Sequence, residues 1–155
     1  VDPIFSAIFG PTVALASGPE IDDDFPMSEK ENFLYLLDPD ASSVEVHPGE
    51  TLFAKGDRAI NVYVIKSGKM EIFDGPVVYE MVGPGDLIGE MALIDEAPRS
   101  ASIRAVTECE IIPIDAKRFV SMIERTPTFA IRVMRTLVRR LRELHELDMK
   151  RRGSQ

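Results

Sequence analysis

The sequence predicts a mainly β fold with flanking helices: an antiparallel β-roll of jelly-roll type followed by two C-terminal helices. Three observations carry that expectation. Between Ser43 and Pro113, short β-prone runs alternate with glycine-containing turns at a spacing of roughly eight to twelve residues. After Asp115 the apolar period becomes helical. At 155 residues, 45% hydrophobic and 28% charged, the chain can bury a core without a disulfide or metal staple.

Residues 1–27 read as a proline-rich appendage, because Pro3, Pro11, Pro19 and Pro26 interrupt any long element. A partly ordered tail is expected there, with a docked helical turn over 4–9 as the alternative. Residues 28–42 form a short helical lead-in. In it Ser28-Glu29-Lys30-Glu31 has capping-box spacing ahead of Phe33, Leu34, Leu36 and Leu37.

The roll is expected over 43–114, with strands at 44–47, 51–53, 62–65, 70–73, 77–81, 100–106 and 109–114. Gly56-Asp57, Ser67-Gly68, Asp74-Gly75 and Gly83-Pro84-Gly85 separate them, and Asp74-Gly75 is a strong hairpin signal. Residues 115–152 complete the chain as a hinge and a lid or dimer helix. Asp115 is the expected N-cap of the first helix, which runs to Arg125; Thr126 and Pro127 open the second as N-cap and N1. Along it Ala130, Met134, Leu137, Leu141 and Leu144 recur at heptad-like spacing, with Val133 and Val138 beside them and Arg139, Arg140, Arg142 and Glu143 outside. The first two turns are expected to pack on the roll, and the helix beyond Leu141 to form a dimer seam.

Charge and cysteine content exclude several classes of function. Eighteen basic against twenty-six acidic residues leave a net charge of −8, which offers no global footprint for a nucleic-acid backbone. No apolar run approaches the length of a transmembrane helix, and no basic residue precedes the apolar start. Cys109 is the single cysteine, consistent with a reducing compartment. A soluble cytoplasmic domain with no membrane or nucleic-acid partner is the expectation.

The chemistry concentrates at 85–102. Gly89 ends a short strand, and Glu90 to Ile94 are good helix formers before Pro98. A glycine feeding a helix leaves outward-pointing N–H groups that a ligand can approach closely. Arg99 follows, and its guanidinium suits bidentate recognition of a phosphate or carboxylate. Glu90 would repel an anion but would accept from a hydroxyl, and Ser100 adds a second hydroxyl. These residues suit a small ligand with both an anionic oxygen group and a hydroxyl. The plainer alternative is a Glu90–Arg99 surface salt bridge beside an ordinary turn.

Gly89-Glu90-Met91-Ala92-Leu93 followed by Pro98-Arg99-Ser100-Ala101-Ser102 closely resembles the phosphate-binding cassette of cyclic nucleotide-binding domains. Such domains occur in catabolite activator proteins, regulatory subunits of cyclic AMP-dependent protein kinase and cyclic nucleotide-gated channels. The resemblance covers roughly residues 43–147. Pro48-Gly49-Glu50, Phe53, Gly56-Asp57, Tyr63-Val64-Ile65 and Ser67-Gly68 match the same pattern.

The resemblance implies that Arg99 binds the exocyclic oxygens of a cyclic phosphate and Glu90 the ribose 2′-hydroxyl. It also implies that Gly89, Met91 and Ala92 give backbone contacts, and that Ser100 and Ala101 touch the phosphate. Val78 and Tyr79 are expected near the base, with Arg140, Leu144 or His145 as a lid from the last helix. His145 is equally read as a solvent-facing histidine. Cyclic AMP is the expected ligand, although a hydroxyl at Ser100 also suits cyclic GMP. Activator-type relatives carry a helix-turn-helix DNA-binding domain, and no such module is recognised in these residues.

The leading expectation is therefore a non-catalytic cyclic nucleotide sensor that signals through its C-terminal helices to a dimer mate or an unidentified effector. The alternative is a degenerate domain that serves protein contacts only. An enzyme is not expected. His47 and His145 fall in unrelated elements, no metal-ligand cluster forms, and no nucleophile–base pair emerges.

Overall fold

The computed structural model describes residues 32–154. The proline-rich appendage and the capping box at Ser28 lie outside the described residues. The first element is a short 3₁₀ helix, Phe33–Leu36, capped by the Asn32 side chain, which accepts from the Leu34 N–H at 3.0 Å.

Eight strands follow: β1 Val44–Val46, β2 Thr51–Phe53, β3 Asn61–Ser67, β4 Met70–Asp74, β5 Val77–Val82, β6 Leu87–Ile88, β7 Ser102–Ala105 and β8 Cys109–Asp115. They form two antiparallel four-stranded sheets in the orders β1-β8-β3-β6 and β2-β7-β4-β5. Helix α1, Glu90–Ile94, lies between β6 and β7, and α2, Ala116–Arg125, and α3, Pro127–Gly153, close the chain. This is the expected roll with two C-terminal helices.

Two apolar clusters hold it together. Between the sheets, Val46, Ile65, Ile88 and Ile111 from the first meet Met70, Val82, Ile103 and Ala105 from the second. On the opposite face of the first sheet, Val62, Val64, Ile112 and Ile114 pack against Phe33, Phe119, Phe129 and Val133. The first sheet is thus buried on both faces. That is why β3 and β8 read as nearly unbroken apolar runs rather than as alternating ones. Edge-on contacts of Phe129 with Phe33 and Phe119, at 5.9 and 5.6 Å between centroids, join the N-terminal 3₁₀ helix to both C-terminal helices.

The structure corrects three local expectations. Strand β7 starts at Ser102, not Ser100, because the backbone at Arg99 is tied to the turn at Gly56-Asp57 instead. The Arg99 N–H donates to Asp57 O at 2.9 Å, and the Gly56 N–H to Arg99 O at 2.8 Å. Asp115 caps α2, accepting from the Arg118 N–H at 2.7 Å, but the Thr126 side chain makes no cap bond to α3. The N–H of Phe129, at N3, donates to the Thr126 backbone carbonyl at 2.9 Å instead.

The third correction concerns the face that α3 buries. Phe129, Val133 and Thr136 are buried, whereas Met134, Val138 and Leu141 are exposed. The inward face lies about a quarter-turn round the helix from the expected heptad stripe. Arg140, expected among the outer residues, sits on this inward face with only 13% of its side chain exposed.

Candidate functional site

Gly89 caps α1 in the left-handed region, at φ +79°. A β-carbon there would stand 2.5 Å from a terminal nitrogen of Arg99 and 3.3 Å from the Phe53 ring, so the position is closed to side chains both by strain and by contact. The tight turn brings Glu90 and Arg99 to one cavity.

Both residues are almost wholly buried, Glu90 at 1% and Arg99 at 4% exposure, yet they do not pair with each other. This removes the surface salt bridge as an explanation. Arg99 Nη1 donates to Gly89 O at 2.7 Å and Nη2 to Asn61 O at 2.5 Å. Its Nε is buried with no hydrogen-bond partner. Burial pulls this guanidinium below its ordinary pKa, while Tyr63, Glu90 and Asp57 act in the opposite direction. An arginine left cationic with an orphaned donor is primed for an incoming anion.

Glu90 pairs instead with Arg140 of α3. Arg140 also donates through Nε to Glu80 Oε2 at 3.2 Å and through Nη2 to Leu87 O at 3.0 Å. Arg139 joins the network, 3.2 Å from Glu80 and 2.9 Å from Glu143. Burial works against the Arg139 charge, but Glu143 and Glu80 hold its pKa above the ordinary value. Three carboxylates and two guanidiniums thus fasten the last helix to the roll at the edge of the cavity.

The cavity measures about 410 Å³, within the range of small-molecule sites. One wall is Gly89, Glu90, Met91 and Ala92 with Arg99, Ser100 and Ala101. Ile72, Ile88 and Ile103 add apolar lining, and Tyr79, Arg140 and Leu144 also border the cavity. The cavity therefore combines an anion locus and a carboxylate with a largely apolar lining.

Two residues expected near a base lie off the cavity wall. Val78 is not part of it although its neighbour Tyr79 is, because the β4–β5 register slips there: Ile72 faces Glu80, but Phe73 faces Val78. His145 stands on the exposed side of α3, in keeping with the solvent-facing reading. Conversely, Phe53, Glu80, Glu143 and Leu147 border the cavity without having been singled out for a site role. A glutamate between two large apolar residues of a strand was the one local signal for Glu80.

Among the described residues no group of histidine, cysteine and acidic side chains is arranged to hold a metal ion, and no helix is long and apolar enough to cross a membrane.

Comparison with known proteins places this geometry. A family model described as "Cyclic nucleotide-binding domain" matches residues 43–126. The cyclic AMP receptor protein of Thermus thermophilus is 36% identical over 107 residues, covering 65% of this chain and 50% of that protein. A crystal structure of the Thermus thermophilus catabolite activator protein superposes with a TM-score of 0.64 at 34% identity, covering 70% of this chain and 54% of the other. The cyclic AMP-bound form of the EAL enzyme Bd1971 gives 0.53 at 28% identity, over 72% of this chain and 32% of that one. The chain spans about half the length of the curated receptor protein it matches. Because that family model spans more than half of the sequence, the chain belongs to the cyclic nucleotide-binding domain family.

Proposed function

We propose that the chain is a cyclic AMP sensor with no catalytic role of its own. The observation that carries the reading is the buried Arg99, whose unpartnered Nε shares a cavity with the buried Glu90 carboxylate. In this reading Arg99 binds the cyclic phosphate, and Glu90 accepts from the ribose 2′-hydroxyl. Gly89, Met91 and Ala92 offer backbone contacts, while Ser100 and Ala101 flank the phosphate. The purine lies in the apolar slot under Tyr79 and Leu144. Cyclic AMP is preferred because the base end is mostly aliphatic, and cyclic GMP is the competing ligand through Ser100.

The output runs through residues 115–152. Arg140 touches the ribose carboxylate Glu90 and lies on the same helix as the exposed stripe Met134, Val138 and Leu141. A ligand that changes the Glu90–Arg140 contact therefore shifts the balance between helix positions, by no more than its differential affinity for them. The exposed stripe suits a dimer mate, which would place the signal at a subunit interface. The roll over 43–114, with its cassette at 85–102, is the binding unit. Cytoplasmic action follows from the ligand class.

The test is calorimetric titration with cyclic AMP, cyclic GMP and 5′-AMP. Saturable binding selective for cyclic AMP supports the sensor. Absence of heat and of thermal stabilisation at millimolar ligand, in protein refolded from denaturant, supports the degenerate protein-contact domain instead.

A further inference from the structure

The orphaned Nε of Arg99 raises the question of what stabilises this cation before any ligand arrives. No carboxylate forms an ion pair with it among the described residues. Two backbone carbonyls take its terminal nitrogens at 2.7 and 2.5 Å. The remaining close contact is a ring: the Phe53 centroid lies 4.0 Å from Arg99 Cζ, inside the range of a cation–π contact. Tyr63 is farther away, at 6.0 Å, and lies beside Phe53, with centroids 6.1 Å apart and planes 24° apart.

The geometry matters because a guanidinium has two kinds of surface. Its in-plane N–H edges bind oxyanions, whereas its flat faces bind π systems. A carboxylate partner would stabilise the buried charge by occupying an edge, and an incoming phosphate would have to displace it. A ring stabilises the charge from the face and leaves the edge at Nε without a competing partner. Gly89 completes the arrangement, since any β-carbon there would press on both Arg99 and Phe53.

We infer that Phe53 is a positioning residue for anion capture: its ring face seats the Arg99 guanidinium with its in-plane edge left for a phosphate. This rests on the sensor reading of the site and adds a residue on β2, remote in sequence from the cassette. It assigns the ring a job that an aliphatic side chain of similar volume would not do.

The experiment compares the wild type, Phe53→Leu and Phe53→Tyr by calorimetry with cyclic AMP. A companion NMR measurement follows the Arg99 side-chain protons without ligand. Phe53→Leu should weaken binding roughly tenfold, and Phe53→Tyr should restore it to within about twofold of wild type. In the wild type the Arg99 side-chain protons should be shifted upfield by the ring current, a shift Phe53→Tyr keeps and Phe53→Leu removes. The wild-type spectrum supplies this readout even where a variant folds poorly.

Equal affinity in wild type and Phe53→Leu overturns the inference while leaving the sensor intact. Equal losses in Phe53→Leu and Phe53→Tyr, or wild-type Arg99 protons at unshifted positions, overturn it as well. A wild type that binds no cyclic nucleotide overturns both this inference and the sensor reading beneath it.

Discussion

Arg140 of the last helix and Glu90 at the start of the cassette helix form an ion pair in which 13% and 1% of the two side chains are exposed. Fifty residues separate them in sequence, so the contact ties the last helix to the lining of the cavity. Removing one member of a buried pair leaves the other charge stranded, which costs more than the pair contributes net. Arg140→Ala should therefore lower stability by about 3–5 kcal/mol. In a Glu90→Gln background the same substitution should cost far less, and a thermal unfolding cycle on the four proteins measures the difference.

Arg99 is buried in the cavity with two backbone carbonyls, and no carboxylate among the described residues, as its hydrogen-bond partners. Arg99→Ala should weaken cyclic nucleotide binding by about 2–5 kcal/mol, the range for losing one partner of a desolvated charge pair. Arg99→Lys should also weaken it, since a lysine cannot keep both carbonyls and offer an in-plane edge. Titration of both variants with cyclic AMP checks this, and wild-type affinity in both would remove Arg99 from the site.

Gly89 adopts φ +79° with no room for a side chain. Gly89→Ala should destabilise the fold by about 1–3 kcal/mol through backbone strain. It should also push Arg99 off the Phe53 ring, so ligand affinity should fall beyond what the stability loss explains. Denaturant unfolding and titration on the same variant separate the two effects.

Met134, Val138 and Leu141 are exposed at 55%, 48% and 68% on one side of α3. If that stripe is a seam between copies, Leu141→Glu should convert a sedimenting dimer to monomer without changing the unfolding profile of the roll. A wild type that sediments as a monomer at high concentration would assign the stripe to another partner.

His47 reports on pH at the far surface. Its Nδ1 meets the Glu108 carboxylate, and that hydrogen bond, followed by the charges of Glu108 and Glu50, raises its pKa above the ordinary 6.5. A histidine raised in the folded state adds stability that is fully present below its unfolded pKa and is lost as pH rises through the folded value. Full exposure keeps the effect small. NMR titration should place the His47 midpoint above 6.5, and Glu108→Gln should lower it.

How much of this was legible in the sequence depends on how local each signal is. The roll was legible because its turns carry glycines and because β3 and β8, buried on both faces, announce themselves as apolar runs. The Asp115 cap and the Gly89–Arg99 segment were legible for the same reason, since spacing within a dozen residues defines them. The inward face of α3 was not. The helical pattern alone puts Arg140 outside the apolar stripe, the family resemblance made it a possible lid residue, and its ion pairs with Glu80 and Glu90 come from two distant elements. Tyr79 and Val78 could not be told apart because the β4–β5 register slip that separates them leaves no trace in residue type. Phe53 matched the family pattern, but its seat under Arg99 depends on β2 and the cassette meeting in space.

The most direct measurement is a crystal structure of the chain grown with cyclic AMP. The account predicts an exocyclic phosphate oxygen accepting from Arg99 Nε and a ribose 2′-hydroxyl donating to Glu90, with the purine in the slot bordered by Tyr79 and Leu144. A nucleotide bound elsewhere, or in this cavity with its phosphate away from Arg99, would contradict it.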